Sequence, residues 1–274
     1  MPDTVREMET KIIVSNKVTL KNPLLIEGLP GVGNVGRIAA GYLVNELKMK
    51  QFAELYSPHF FPLVILHEDG VAHMLKNEFY YLKRAKRDII ILTGDTQSIS
   101  PEGHYDVVNT ILDFVQKLGV KEILTLGGFA EGTVVQKPRI IGAVNRPELL
   151  TKYKKYGIDF GAGQTVGTIV GASGLLLGMG RLRNIDGVCL MGETPGLPLL
   201  TDPKAADALL HVLIQILGAK VDFKKLDSVV KQMETKIRST EEVHKKVREQ
   251  QPKSMDESAR YIGCLVILCL HTRS

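Results

Sequence analysis

Tryptophan is absent from this chain of 274 residues, and cysteine is scarce, with only Cys189, Cys264 and Cys269. None of the three falls in a C-x-x-C pair, so no thiolate zinc site is expected. An odd count with no disulfide framework suits a reducing, cytoplasmic setting. Charge of one sign is lacking too. The 35 Lys and Arg against 30 Asp and Glu leave a net charge of +5. The two signs interleave and no dense basic tract with aromatics appears, so nucleic acid is not an expected partner. No apolar run approaches the ~20 residues of a membrane helix. The segment Met1 to Lys11 is charged and has no apolar core, so no signal peptide is expected. Neither H-E-x-x-H nor G-x-x-x-x-G-K-[ST] occurs. His67-Glu68 is followed by His73 rather than by a histidine three positions on, and Asn34 stands where a phosphate-binding lysine would be. No metal or cofactor is expected.

What remains is an ordinary globular composition, 44% hydrophobic and 24% charged, patterned as alternating strands and helices. Apolar runs at 11–14, 24–27, 51–56, 79–82, 88–92, 122–126, 140–144 and 187–191 read as strands. A hairpin is expected where 63–67 and 71–75 flank Glu68-Asp69-Gly70. Helical periodicity follows at 37–47, 101–118, 147–156 and 173–182, then from the Asp202-Pro203 start signal to Leu217. This pattern predicts an α/β core over 1–220 with a mainly parallel sheet and one antiparallel excursion near 63–82. From Val221 the composition changes. A narrow apolar stripe in a charged segment predicts a C-terminal helix over 221–250. Residues 251–274 then form a tail that holds the abrupt apolar run Tyr261 to Leu270.

The most conspicuous stretch is Leu24-Leu25-Ile26-Glu27-Gly28-Leu29-Pro30-Gly31-Val32-Gly33-Asn34-Val35-Gly36. Gly31, Gly33 and Gly36 satisfy G-x-G-x-x-G, the pattern of a backbone that approaches a phosphate at a helix start. Two readings follow. In one, Gly31, Gly33, Gly36 and Asp95 bind a nucleotide in a phosphorylase- or hydrolase-like enzyme. In the other, the loop is a tight strand-to-helix corner. The second is favoured, because Pro30 interrupts the approach and the acidic residue expected on the next strand, Glu54, sits inside that strand rather than at its tip. Ser173, in Gly171-Ala172-Ser173-Gly174-Leu175, lacks the second glycine of a nucleophile elbow. Asp95, Gln97, Glu131, Glu193 and Asp202 fall at strand ends or in loops with no nucleophile or base beside them in sequence, and read as caps.

Taken in order, five motifs resemble the proteasome assembly chaperone family, in particular archaeal members similar to the eukaryotic second assembly chaperone. They are the glycine loop, Thr93-Gly94-Asp95-Thr96-Gln97, Thr125-Leu126-Gly127-Gly128, Val170-Gly171-Ala172-Ser173-Gly174-Leu175 and Gly192-Glu193-Thr194-Pro195. The resemblance covers about residues 10–240. It implies a three-layer α/β/α sandwich related to nucleoside phosphorylases and hydrolases but without their catalytic residues. It further implies a non-enzymatic homo-oligomer that assembles or activates proteasomes without ATP, docking on α-subunits of the core particle. In the family, a C-terminal hydrophobic-Tyr-X ends in a carboxylate that a lysine of the α-subunit pocket can pair with. This chain departs from that pattern, ending His271-Thr272-Arg273-Ser274. Docking is therefore expected to use internal apolar contacts of the tail: Tyr261, Ile262, Leu265, Val266, Ile267 and Leu268.

Overall fold

The computed structural model describes residues 9–66, 69–133, 135–161, 167–196 and 201–219. The C-terminal helix expected over 221–250 and the tail 251–274 lie outside the described residues. The elements follow in chain order: β1 (Lys11–Val14), β2 (Leu24–Glu27), a 3-10 turn (Val32–Asn34), α1 (Val35–Glu46), β3 (Lys50–Tyr56), β4 (Val64–Leu66), β5 (Ala72–Met74) and β6 (Asn77–Leu82). Then come β7 (Ile89–Gly94), α2 (Pro101–Lys117), β8 (Glu122–Ala130), β9 (Ile140–Val144), α3 (Leu149–Lys154), α4 (Ala172–Leu182), β10 (Asp186–Thr194) and α5 (Pro203–Leu217).

Eight strands make one sheet in the order β1-β3-β6-β7-β2-β8-β10-β9. The four central strands β7, β2, β8 and β10 are parallel. The flanks are antiparallel, with β6, β3 and β1 on one side and β9 on the other. The sheet is thus mixed, and the single antiparallel excursion expected near 63–82 is too small. The flanking strands β1, β3 and β6 are only partly buried, and β3 and β6 mix polar with apolar residues, whereas β2 and β7 in the parallel centre are almost wholly buried. The expected hairpin forms, but β4 and β5 stand apart as their own two-stranded sheet.

Period-two alternation sends each strand's side chains to two cores. In β2, Leu24 and Ile26 join α1, α5 and Tyr153 of α3 on one face, while Leu25 joins α2 and α4 on the other. These are three layers with helices on both sides of a buried sheet. An aromatic group of Phe52, Phe79, Tyr81 and Phe114, with ring centroids 5.1 to 6.2 Å apart, fills the second core between the antiparallel flank and α2. The Asp202 start signal read from the sequence holds at atomic level, and α2 has a cap of the same kind. The Ser100 hydroxyl accepts from Gly103 N at 3.1 Å to cap α2, and Asp202 Oδ1 accepts from Ala205 N at 3.0 Å to cap α5. At the amino end of the parallel strands, Glu122 is buried yet accepts from Arg87, Lys152 and Tyr153. Burial raises its pKa, but those three donors outweigh it and hold the carboxyl below the usual range.

Candidate functional site

Open α/β sheets place ligands beyond the carboxyl ends of their parallel strands, and that is where the glycine loop lies. The last residue of β2, Glu27, is fully buried there. Its Oε1 accepts from Leu29 N at 3.0 Å and its Oε2 from Ser173 Oγ at 2.9 Å. Burial pushes this carboxyl up to about 7, against hydrogen bonds from Leu29, Ser173 and the Leu126 backbone that favour the ionised form. The loop beyond it is tied on both sides. Gly28 O accepts from Thr93 Oγ1 at 2.8 Å, and Pro30 O accepts from Gln97 Nε2 at 2.6 Å. The other end of the Gln97 amide, Oε1, accepts from Ala172 N at 2.9 Å. One side chain thereby joins the end of β7, the glycine loop and the first turn of α4.

The glycines answer to packing. A β-carbon on Gly36 would run into the Leu126 carbonyl of β8, so glycine lets α1 lie directly on the sheet. Gly33 has φ +61°, in the left-handed region that side chains disfavour, and its carbonyl accepts from Asp202 N at 2.9 Å. Gly31 alone faces open space, its nearest neighbour being Gln97 at 3.9 Å. Asp95 pairs with Arg37 at 3.5 Å and accepts from Lys76 N at 3.3 Å. Glu54 lies on β3, three strands from β2, where it is held by Lys76 and Tyr56. It cannot serve a ribose at the loop, which removes the acidic partner that a dinucleotide site needs.

Glu131 and Glu193 meet at Arg139 rather than at Glu27. Arg139 donates from N and Nε to Glu193 at 2.9 and 2.8 Å, bonds Asp159 at 3.1 Å and approaches Glu131 at 3.9 Å. Burial raises the Glu193 pKa, and the Arg139 hydrogen bonds and charge bring it net below the usual carboxylate range. The residues suspected at strand ends therefore separate into a loop tie (Gln97), two ion-pair clusters (Asp95; Glu131 with Glu193) and a helix cap (Asp202). Ser173 does reach a carboxylate, donating its hydroxyl proton to Glu27. The hydrogen bonds of the Ser173 hydroxyl run to Glu27 and to the Leu126 carbonyl, where a triad serine would have a histidine. Among the described residues no group of three or more His, Cys, Asp or Glu is placed to hold a metal, and no helix is long and apolar enough to cross a membrane. The tail residues Tyr261, Ile262, Leu265, Val266, Ile267 and Leu268 lie outside the described residues.

Glu27 was missed by sequence reasoning. The signal available was a carboxylate ending an otherwise apolar strand immediately before a glycine turn. Such a residue is either the exposed end of the strand or a buried tie, and only the sheet order decides.

Fold and site together define a three-layer α/β protein in which polar side chains at the carboxyl end of the sheet bond to one another and to the backbone of the glycine loop and α4. The chain belongs to the PAC2 family, whose model matches residues 25–241. It is similar to the crystal structure of Pyrococcus furiosus PbaB, an archaeal proteasome activator. The identity is 42%, the TM-score 0.76, and the match covers 88% of this chain and 99% of PbaB. P. furiosus PbaA, an archaeal homolog of proteasome-assembly chaperone, matches at 26% identity and a TM-score of 0.71 over 87% of this chain and 99% of PbaA. An uncharacterised protein of Methanocaldococcus jannaschii is 40% identical over 258 residues, which is 92% of this chain and 98% of that protein.

Proposed function

We propose that this protein is a non-catalytic, ATP-independent proteasome assembly chaperone or activator that binds the α-ring of the core particle. The observation that carries the reading is the 42% identity to PbaB, a proteasome activator, over 99% of that protein's length. The chemistry of the carboxyl end supports it. Glu27, Ser173 and Gln97 engage one another and the backbone, and Gly33 and Gly36 are accounted for by packing. In this reading the body, 1–220, self-associates on a phosphorylase- or hydrolase-type scaffold. A charged helix over 221–250 projects from it, and the tail 251–274 docks through Tyr261, Ile262 and Leu265 to Leu268. The setting is cytoplasmic.

Co-sedimentation of the full chain with proteasome core particles tests the partner, and peptidase activity of the same mixture separates activation from assembly. Failure to co-sediment would refute the partner. Undiminished binding after deletion of 251–274 would refute docking by the tail while leaving the partner standing. A thermal-shift screen with nucleotides addresses the competing reading: stabilisation abolished by Gly33→Ala would favour a nucleotide at the loop.

A further inference from the structure

At the end of the sheet away from the glycine loop, the turn from β6 to β7 reads Lys83-Arg84-Ala85-Lys86-Arg87. Asp88 pins its backbone: Oδ1 accepts from Arg84 N at 2.7 Å and Oδ2 from Lys21 N at 2.6 Å. Lys21 Nζ reaches Ala85 O at 3.5 Å, and Arg87 shares the Glu122 carboxylate with Lys152. Lys21, Lys83, Arg84, Lys86, Arg87 and Lys152 thus crowd one end of the body. The carboxylates that hold them, Asp88 and Glu122, are buried, whereas Lys21, Lys83, Lys86 and Lys152 are exposed. Among the described residues Lys83 and Lys86 enter no ion pair. Arg84 turns instead to α5. Its guanidinium donates to Leu217 O at 2.7 Å and to Gly218 O at 3.2 Å, at a helix end where a cation is favoured. The chain leaves the described body beside this turn, at Ala219, and residues 220–274 follow.

We infer, resting on the proposed function, that this basic end of the body faces an acidic surface of the core particle. The segment after Ala219 leads, in that reading, to the docking tail, and Arg84 fixes its point of departure beside the basic turn. The end of the body that the chain leaves is therefore the end turned to the partner. The composition of the turn selects a protein surface as its occupant. It holds no aromatic side chain to stack a base, and nothing apolar larger than Ala85 to enter a bilayer. Exposed lysines on a pinned turn suit a charged, hydrated rim. Ion pairs there are individually weak and act mainly on the rate of association and its salt dependence. The face steers and orients the body while the tail holds it.

Co-sedimentation of the full chain with core particles at ~50 mM salt, where charges act over long range, tests this. K83E/K86E is the disrupting variant. K137E/K204E is the control, with the same change of charge on exposed lysines at the carboxyl end of the sheet. The expected result is association about tenfold weaker in K83E/K86E and unchanged in K137E/K204E, with all chains melting alike. At ~1 M salt, where the screening length falls to ~3 Å, the variants should bind alike. Should the reversal disturb folding, K83Q/K86Q carries the same test with a smaller loss. Equal binding by wild type and K83E/K86E overturns the inference and leaves the partner reading standing. An equal loss in K137E/K204E also overturns it, since net charge alone would then account for the effect. A wild type that does not co-sediment overturns the partner reading, and this orientation with it. If K83E/K86E keeps its core-particle binding but loses binding to a DNA duplex, the inference falls and the face belongs to nucleic acid.

Discussion

Replacing Glu27 by glutamine should remove most of a pH dependence that the fold carries at its centre. Burial raises this carboxyl from 4.5 to about 7. Below pH 4.5 it is protonated in both folded and unfolded chains and contributes no difference. Between pH 4.5 and about 7 the unfolded chain releases the proton while the folded one keeps it, so stability falls as pH rises. Above about pH 7 both forms are ionised and the loss is constant. At 1.36 kcal/mol per pKa unit, the span amounts to about 3 kcal/mol, or roughly 5–10 °C in melting temperature for a chain of this size. Glutamine preserves the shape. Its amide oxygen can accept from Leu29 N, and its NH2 can donate to Ser173 Oγ, whose proton then turns to Leu126 O at 3.5 Å. Denaturant unfolding from pH 4.5 to 7.5, followed by far-UV circular dichroism because the chain has no tryptophan, should show E27Q gaining about 3 kcal/mol on the wild type across that window. Parallel curves would refute the reasoning and place Glu27 among ordinary carboxylates. A gain in the opposite direction would mean that the donors from Leu29 and Ser173 outweigh burial.

Gly36→Ala should cost about 3 kcal/mol, because its β-carbon meets the rigid Leu126 backbone. Gly178→Ala, inside α4 with nothing within 4 Å, should stabilise by about 1 kcal/mol, and urea melts of the two would show opposite shifts. Asp202→Ala should lose about 1 kcal/mol with the α5 cap, read as a lower urea midpoint at unchanged slope. The Cys189 thiol, fully buried and pushed up to about 12 chiefly by burial, should resist iodoacetamide at pH 8 until the chain is unfolded, as peptide-resolved mass spectrometry would show.

Local order was legible because it rests on local causes. The apolar runs, the Asp202-Pro203 start and Gly119, which follows α2 with φ +86°, each carry their physical reason within a few residues. Pairing was less so. The mixed polar and apolar residues of Lys50–Tyr56 and Asn77–Leu82 mark half-buried strands, but they do not say which neighbours those strands pair with. At the carboxyl end, the sequence reads Gln97 as a cap and Ser173 as an incomplete nucleophile elbow. Their roles depend on partners 67 and 146 positions away in the chain. The resemblance supplied what spacing could not, and the PAC2 match over 25–241 agrees with it.

The glycine loop shows why a motif and its usual chemistry can separate. A phosphate cradle needs glycines so that a ligand can come close; this loop needs them so that its own chain can. Gly36 brings α1 onto Leu126, and Gly33 turns left-handed to meet Asp202. At this end of the sheet Glu27, Ser173 and Gln97 act on the backbone or on one another. Opening such a site would break several hydrogen bonds at once, each with net worth of about 1 kcal/mol but costlier when a buried partner is left unpaired. Converting this end of the sheet into a ligand site therefore requires more than restoring a lysine at Asn34. It requires that the Gln97 bridge and the Glu27–Ser173 pair be given up together.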